Sequence, residues 1–247
     1  MIDYHTYNLS KKEEIAFSFI FLTGLSVCSF LFYRSLIFLL LFPLLYKKGR
    51  NIYIRYLIRK RKQILLVEFR DFLFSLSTSL ATGRHMSEGL KEAESYLNEI
   101  YGNHSLLVGE IRLMIKAVDE TGLSVEKVIS DFAKRADLED IYTFSDVFSA
   151  CRDTGGNLIQ AVNKAAAFLS EKINLEEEFQ AAVSQRKLEG RVIAFMPFAM
   201  ILFLQWMSPE YLSVMYTTVS GKLLMSIALA LTIVTSILIE RMTEIEC

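Results

Sequence analysis

Residues 15–33 read IAFSFIFLTGLSVCSFLFY, 19 consecutive residues without a charge. At a rise of about 1.5 Å per residue, a helix of this length nearly matches the roughly 30 Å hydrocarbon core of a bilayer. Apolar residues on every face leave no polar side to turn toward water. The stretch therefore predicts a membrane-spanning helix and sets the class of the whole chain. Lys11 and Lys12 precede it, as in a secretory signal. No small-x-small cleavage pattern follows, however, and a second apolar run comes at once, so the stretch is read as a span.

Three further uncharged runs lie outward from it: Ser35–Tyr46 with 12 residues, Val192–Met207 with 16 and Leu223–Ile239 with 17. The last two reach spanning length if Arg191, Lys222 and Glu240 snorkel to the interface. Ser35–Tyr46 needs Tyr33 and Arg34 at the interface with local thinning, or else is re-entrant. Four membrane helices are expected, paired at the two ends of the chain. Of the 247 residues 52% are hydrophobic, only 3 are Pro and 11 are Gly, which argues against disorder and turn-rich β folds. A net charge of −1 carries no nucleic-acid signature, and none is expected as a partner.

Orientation follows from the basic residues. Lys47, Lys48, Arg50, Arg55, Arg59, Lys60, Arg61 and Lys62 fall within 16 residues that hold no acid. The positive-inside rule places this segment in the cytoplasm. Both termini then lie inside, and only the turn near Arg34 and residues 208–221 face outward. The expected organisation is a cytoplasmic N-terminus (1–14), a transmembrane hairpin (15–46), a basic linker helix (47–67), a cytoplasmic helical domain (68–190), a span (191–207), an outer loop (208–221), a span (222–240) and a cytoplasmic tail (241–247).

Between Lys47 and Met196 there is no Pro, and apolar residues recur at helical spacing: Phe69, Phe72, Leu73, Leu76, Leu80; then Ile111, Met114, Ile115, Val118; then Ile141, Phe144, Val147, Phe148. Thr-Gly recurs at Thr82-Gly83, Thr121-Gly122 and Thr154-Gly155, each followed by apolar residues three and seven positions after the Gly. Gly closes a helix in the left-handed conformation, and Ser124 or Asn157 can cap the next one. His85 is a poor cap, so Ser87 could start its helix instead. These signals predict six helices, at about 64–82, 86–101, 105–120, 124–136, 138–153 and 157–190, arranged as three hairpins in an all-α bundle.

Gly155-Gly156-Asn157 invites comparison with a phosphate loop, but lacks the Lys-Ser or Lys-Thr and the preceding strand that such a loop needs. His5, His85 and His104 lie far apart, with no metal-ligand spacing. Cys28, Cys151 and Cys247 form no disulfide framework. No Asp, Glu or His interrupts the apolar runs, which argues against a transporter or an intramembrane enzyme. What remains is segregated charge. Residues 47–67 carry +8, whereas 68–190 hold 13 basic and 21 acidic residues, a net −8. Arg59, Lys60, Arg61 and Lys62 are candidate contacts for anionic lipid or a partner. Glu176, Glu177 and Glu178 are candidates for docking a partner protein.

The order of elements resembles the F domain family of type II secretion and type IV pilus platform proteins, and within it the TadB-like platform proteins of tight-adherence (Flp) pilus systems. Four motifs carry the resemblance: Thr154-Gly155-Gly156-Asn157-Leu158 before a long helix; Leu188-Glu189-Gly190-Arg191 leading to Pro197; Ser208-Pro209-Glu210-Tyr211-Leu212; and Gly221-Lys222-Leu223-Leu224. The first turn departs from the family pattern, reading Gly83-Arg84-His85-Met86. The resemblance implies a non-enzymatic plasma-membrane protein, without cofactor, that couples a cytoplasmic secretion ATPase to pilin subunits. It implies that the second F domain found in the two-copy relatives comes from a TadC-like sister protein or another copy of this chain. It also implies that Glu189, Gly190, Arg191 and Pro197 belong to a lever between bundle and membrane, and that Pro209, Glu210 and Tyr211 lie outside. A membrane-anchored adaptor or signalling protein is the alternative with the same layout.

Overall fold

The structure is a computed structural model that describes residues 9, 11–33, 42–153 and 157–243. It is all-helical, with no strand among the described residues. In chain order the helices are α1 (Lys11–Tyr33), α2 (Phe42–Ala81), α3 (Met86–Tyr101), α4 (Leu106–Thr121), α5 (Val125–Ala136), α6 (Glu139–Asp153), α7 (Leu158–Met207), α8 (Pro209–Thr217) and α9 (Val219–Thr243). Three of them, α1, α7 and α9, contain stretches long and apolar enough to cross a membrane.

Helices α3 to α6 lie within one residue of the limits expected from periodicity and turn residues. Two expected boundaries are absent. The basic segment 47–67 and the helix expected from residue 64 are one 40-residue helix, α2. The helix 157–190 and the span after it are likewise one 50-residue helix, α7. Once nucleated, a helix adds residues cheaply, and one Gly costs only about 1 kcal/mol. Gly190 therefore does not end α7. The expected outer loop 208–221 is also largely helical, as α8, because Pro209 at its first position already holds a helical φ. Most of the run Ser35–Tyr46 lies outside the described residues; from Phe42 onward it forms the first turns of α2.

The chain divides into two units. In the first, the described residues are 53–153 and 157–176, and helices α2 to α7 contribute to one core. Phe69 of α2 lies at its centre. Its ring stands 5.5 Å from Phe144 in an edge-to-face arrangement, and 6.2 Å from Phe132. Around them α3 buries Leu90 and Leu97, α4 buries Leu107 and Ile111, and α7 buries Val162, Leu169 and Ile173. Most residues of the expected stripes lie in this core. Val147 departs from it, at 44% exposure.

The turns follow backbone chemistry. Gly83 takes φ +82° after α2; its N–H donates to the Leu80 carbonyl and that of Arg84 to the Ser79 carbonyl. This paired closure needs a residue with positive φ, which glycine adopts without a Cβ clash. Asp137 closes α5 at φ +50°, a conformation for which Asp is one of the better non-glycine residues.

The second unit comprises Leu9–Ile52 and Glu177–Cys247. Its small buried cluster holds Leu31, Phe32, Leu212 and Met225. Phe32 packs edge-to-face on Phe198 at 5.6 Å, and the Tyr216 hydroxyl donates to the Leu31 carbonyl at 2.6 Å. Gly49 of α2 lies against the rings of Phe17 and Phe21 on α1. Most other apolar side chains here are exposed, among them Phe19, Ile193, Met200 and Leu223.

Candidate functional site

The sequence points to turns, charged faces and the long helix α7 rather than to a catalytic cluster. Gly83 and Gly122 both occupy positive φ, at +82° and +64°. Ser124 stands at the N-cap of α5, but its side chain accepts no capping hydrogen bond. Asn157 does cap: its Oδ1 accepts the N–H of Gln160 at 3.2 Å. Gly155 and Gly156 lie outside the described residues. His85 takes the N-cap position of α3 without a side-chain bond, so the helix starts at Met86 rather than after Ser87.

The residues expected to form a lever all lie within α7, which continues through Gly190 and Pro197 without interruption. Glu189 accepts from Gln185 at 3.4 Å, and Arg191 is exposed. Pro209, Glu210 and Tyr211 form the first turn of α8, with Tyr211 exposed.

The basic candidates divide. Arg59 and Lys60 are exposed, and Arg61 is half-buried. Lys62 is engaged within the fold: its Nζ donates to the Asp137 carbonyl at 2.8 Å and to Asp137 Oδ2 at 2.6 Å. It thereby ties α2 to the C-terminus of α5, the negative end of that helix. Of the acidic candidates, Glu177 and Glu178 are exposed, while Glu176 accepts from Gln63 at 3.1 Å.

Three polar arrangements escaped the sequence reading. Glu110, 1% exposed, receives two hydrogen bonds from Arg135 Nη1, at 2.9 and 2.7 Å. Glu68 is also buried and accepts the Leu107 N–H at the start of α4, where a negative charge is favoured. Ser105 caps the same helix through the Val108 N–H. A legible signal existed for the first two: Glu110 falls three residues after Leu107 on the buried face, and Glu68 sits between Leu65 and Phe72. A charge on an apolar stripe implies a partner, because an unpaired buried charge is costly. The third arrangement joins α3 to α2. The Tyr101 hydroxyl donates to Asp71 Oδ2 at 2.5 Å, and Arg70 pairs with the same carboxylate at 2.8 Å. Burial, reinforced by the hydrogen bond to Asp71, pushes the Tyr101 hydroxyl well above its ordinary pKa.

An open groove of about 730 Å³ runs between α6 and α7, floored by Phe69 and Leu73 of α2. Among the described residues no group of three His, Cys, Asp or Glu could hold a metal ion. The geometry is that of a helical unit with aromatic core packing, buried ion pairing and an apolar groove, together with apolar helices suited to lipid. No family model, curated protein or solved structure matches the chain.

Proposed function

We propose that this chain is a non-enzymatic platform protein of the plasma membrane, serving a tight-adherence-type pilus or a related type II secretion machine. In this reading residues 64–190 are three helical hairpins facing the cytoplasm, with both termini inside and spans at both ends. A secretion ATPase engages the helical unit, and pilin subunits engage the membrane part. A second helical unit comes from a sister protein or another copy of the chain.

The observation that carries the reading is α7, which runs unbroken from Leu158 to Met207. A stiff helix that starts among the core residues Val162, Leu169 and Ile173 and ends in an apolar run can pass displacement along its axis. A protein that transmits motion has no need of a nucleotide site of its own. Arg59 and Lys60 are placed to meet anionic headgroups, at about 1 kcal/mol each. Glu177 and Glu178 are placed to meet a basic partner surface.

The test is purification of the tagged full chain from its native membranes in mild detergent. The expected result is co-purification of a secretion ATPase and small pilins, with no ATP hydrolysis by the chain alone. Raised salt should weaken the ATPase contact, since exposed charges are screened within about 8–10 Å. Cysteines placed at Ser213 or Thr217 should be labelled from outside, and one at Asn103 should not. Robust hydrolysis by the isolated chain, or labelling at Asn103 in intact cells, would overturn the reading.

A further inference from the structure

The groove between α6 and α7 is elongated. Phe144 and Val147 line it from α6, Ala161 and Ala165 from α7, and Phe69 and Leu73 form its floor. On its rim stands Phe168, a large apolar side chain left 62% exposed beside an apolar trough. Knob and hole therefore lie side by side on one surface. A single two-fold operation places the knob of each copy over the hole of the other, as an isologous interface requires.

The charges give this arrangement a register. Lys172 of α7 reaches both carboxylate oxygens of Asp140 on α6, each at 2.9 Å, which fixes the level at which the two helices face one another. Glu139 is the neighbour of Asp140 and is exposed, as is Lys164 of α7, and among the described residues neither has an ion pair. Lys164 and Lys172 stand four residues to either side of Phe168. A two-fold axis through the level of Phe168 carries Lys164 of one copy to the level of Lys172 in the other. That is where α6 presents Glu139. An axis inclined to the helices keeps this exchange of levels, shifts each α7 toward the partner's groove, and so seats both phenylalanines and brings each Lys164 opposite Glu139.

We propose that this groove is a self-association surface, and that a second copy of the chain occupies it with Phe168 inserted and Lys164 opposite Glu139. This names a partner left open by the platform reading and rests on that reading for its biological sense. Its test omits ATPase and pilins, so failure here leaves the reading above standing.

The test uses two differently tagged full-length copies, co-expressed and extracted in mild detergent, with capture through one tag and detection of the other. Phe168→Glu should lower co-capture by roughly tenfold or more, as loss of a central aromatic anchor does. Lys164→Glu in both copies should weaken capture, and so should Glu139→Lys in both. One copy carrying Lys164→Glu combined with one carrying Glu139→Lys should restore it, because every facing pair is again opposite in sign. Restoration also shows that each variant still folds. Cys151, which lines the same groove, gives a second readout in a chain carrying Cys28→Ala and Cys247→Ala. Its thiol should be shielded from maleimide in the wild-type pair, open in either charge-reversed pair and shielded again in the mixed one. Undiminished capture by Phe168→Glu, no restoration in the mixed pair, or a shielded Cys151 in a monomeric chain would overturn the proposal.

Discussion

Leu65, Leu76 and Ile111 are no more apolar than Ile193, Leu202 and Leu223, yet the first three are sealed from solvent and the second three stand exposed. In residues 53–176 the apolar side chains meet one another across six helices. In the apolar parts of α1, α7 and α9 most of them face outward on helices of spanning length. The difference teaches that hydrophobicity alone says where water is absent, not what replaces it. In the first unit other side chains replace it, and shape matters. In the second unit the outward surface suits lipid, where a methylene more or less changes little.

The sharpest break of this comparison is a matched pair of truncations in the full chain. Phe69→Ala should cost about 3–5 kcal/mol, since the ring is buried among three other aromatic rings and the space cannot fully collapse. Ile193→Ala should stay within about 0.5 kcal/mol, as substitutions away from packed features do. Denaturant midpoints of the detergent-solubilised chain, read by protease cleavage within 53–176, measure both. Equal losses would mean that Ile193 is packed rather than lipid-facing.

The buried ion pair sharpens the same contrast. Arg135→Ala strands Glu110 without its partner and should cost about 3–5 kcal/mol, whereas replacing both residues with Leu should recover most of the loss. The same cleavage assay ranks the single and double variants. A smaller effect is expected at a turn. Gly122→Val forces a β-branched residue to φ +64° and should cost at least about 1–2 kcal/mol, visible as reduced protein level.

A small effect at neutral pH is expected from Tyr101. Its hydroxyl has a raised pKa in the folded chain, so its contribution is fully present below the unfolded pKa of about 10. That contribution is lost as pH rises through the higher folded value. Stability should therefore fall in strong alkali, and Tyr101→Phe should flatten that part of the profile while costing about 1 kcal/mol at neutral pH. A fall of the same steepness in Tyr101→Phe would assign it to another group.

Much of the helical layout was legible because its causes are local. Gly83 and Gly122 mark ends that need positive φ, Asn157 marks a cap, and the run Phe69, Phe72, Leu73, Leu76 repeats at the period of a buried face. The joins were not legible. Nothing between Lys47 and Ala81, or around Gly190, costs enough to stop a helix, so the change of composition there marks no change of element. The fate of single charges was hidden too, because Lys62 and Asp137 are 75 residues apart and meet only in the fold.

From the sequence by itself came the helical class, the apolar runs and the segregation of +8 from −8, since these depend on residue type and spacing along one chain. Tertiary structure decided the rest. It placed Glu110 under Arg135, and it left Val147 bordering an open groove although it falls three residues after the buried Phe144. The physical reason is that a helix face is set by a spacing of three and four residues, whereas its burial depends on whether another helix lies close enough to cover it.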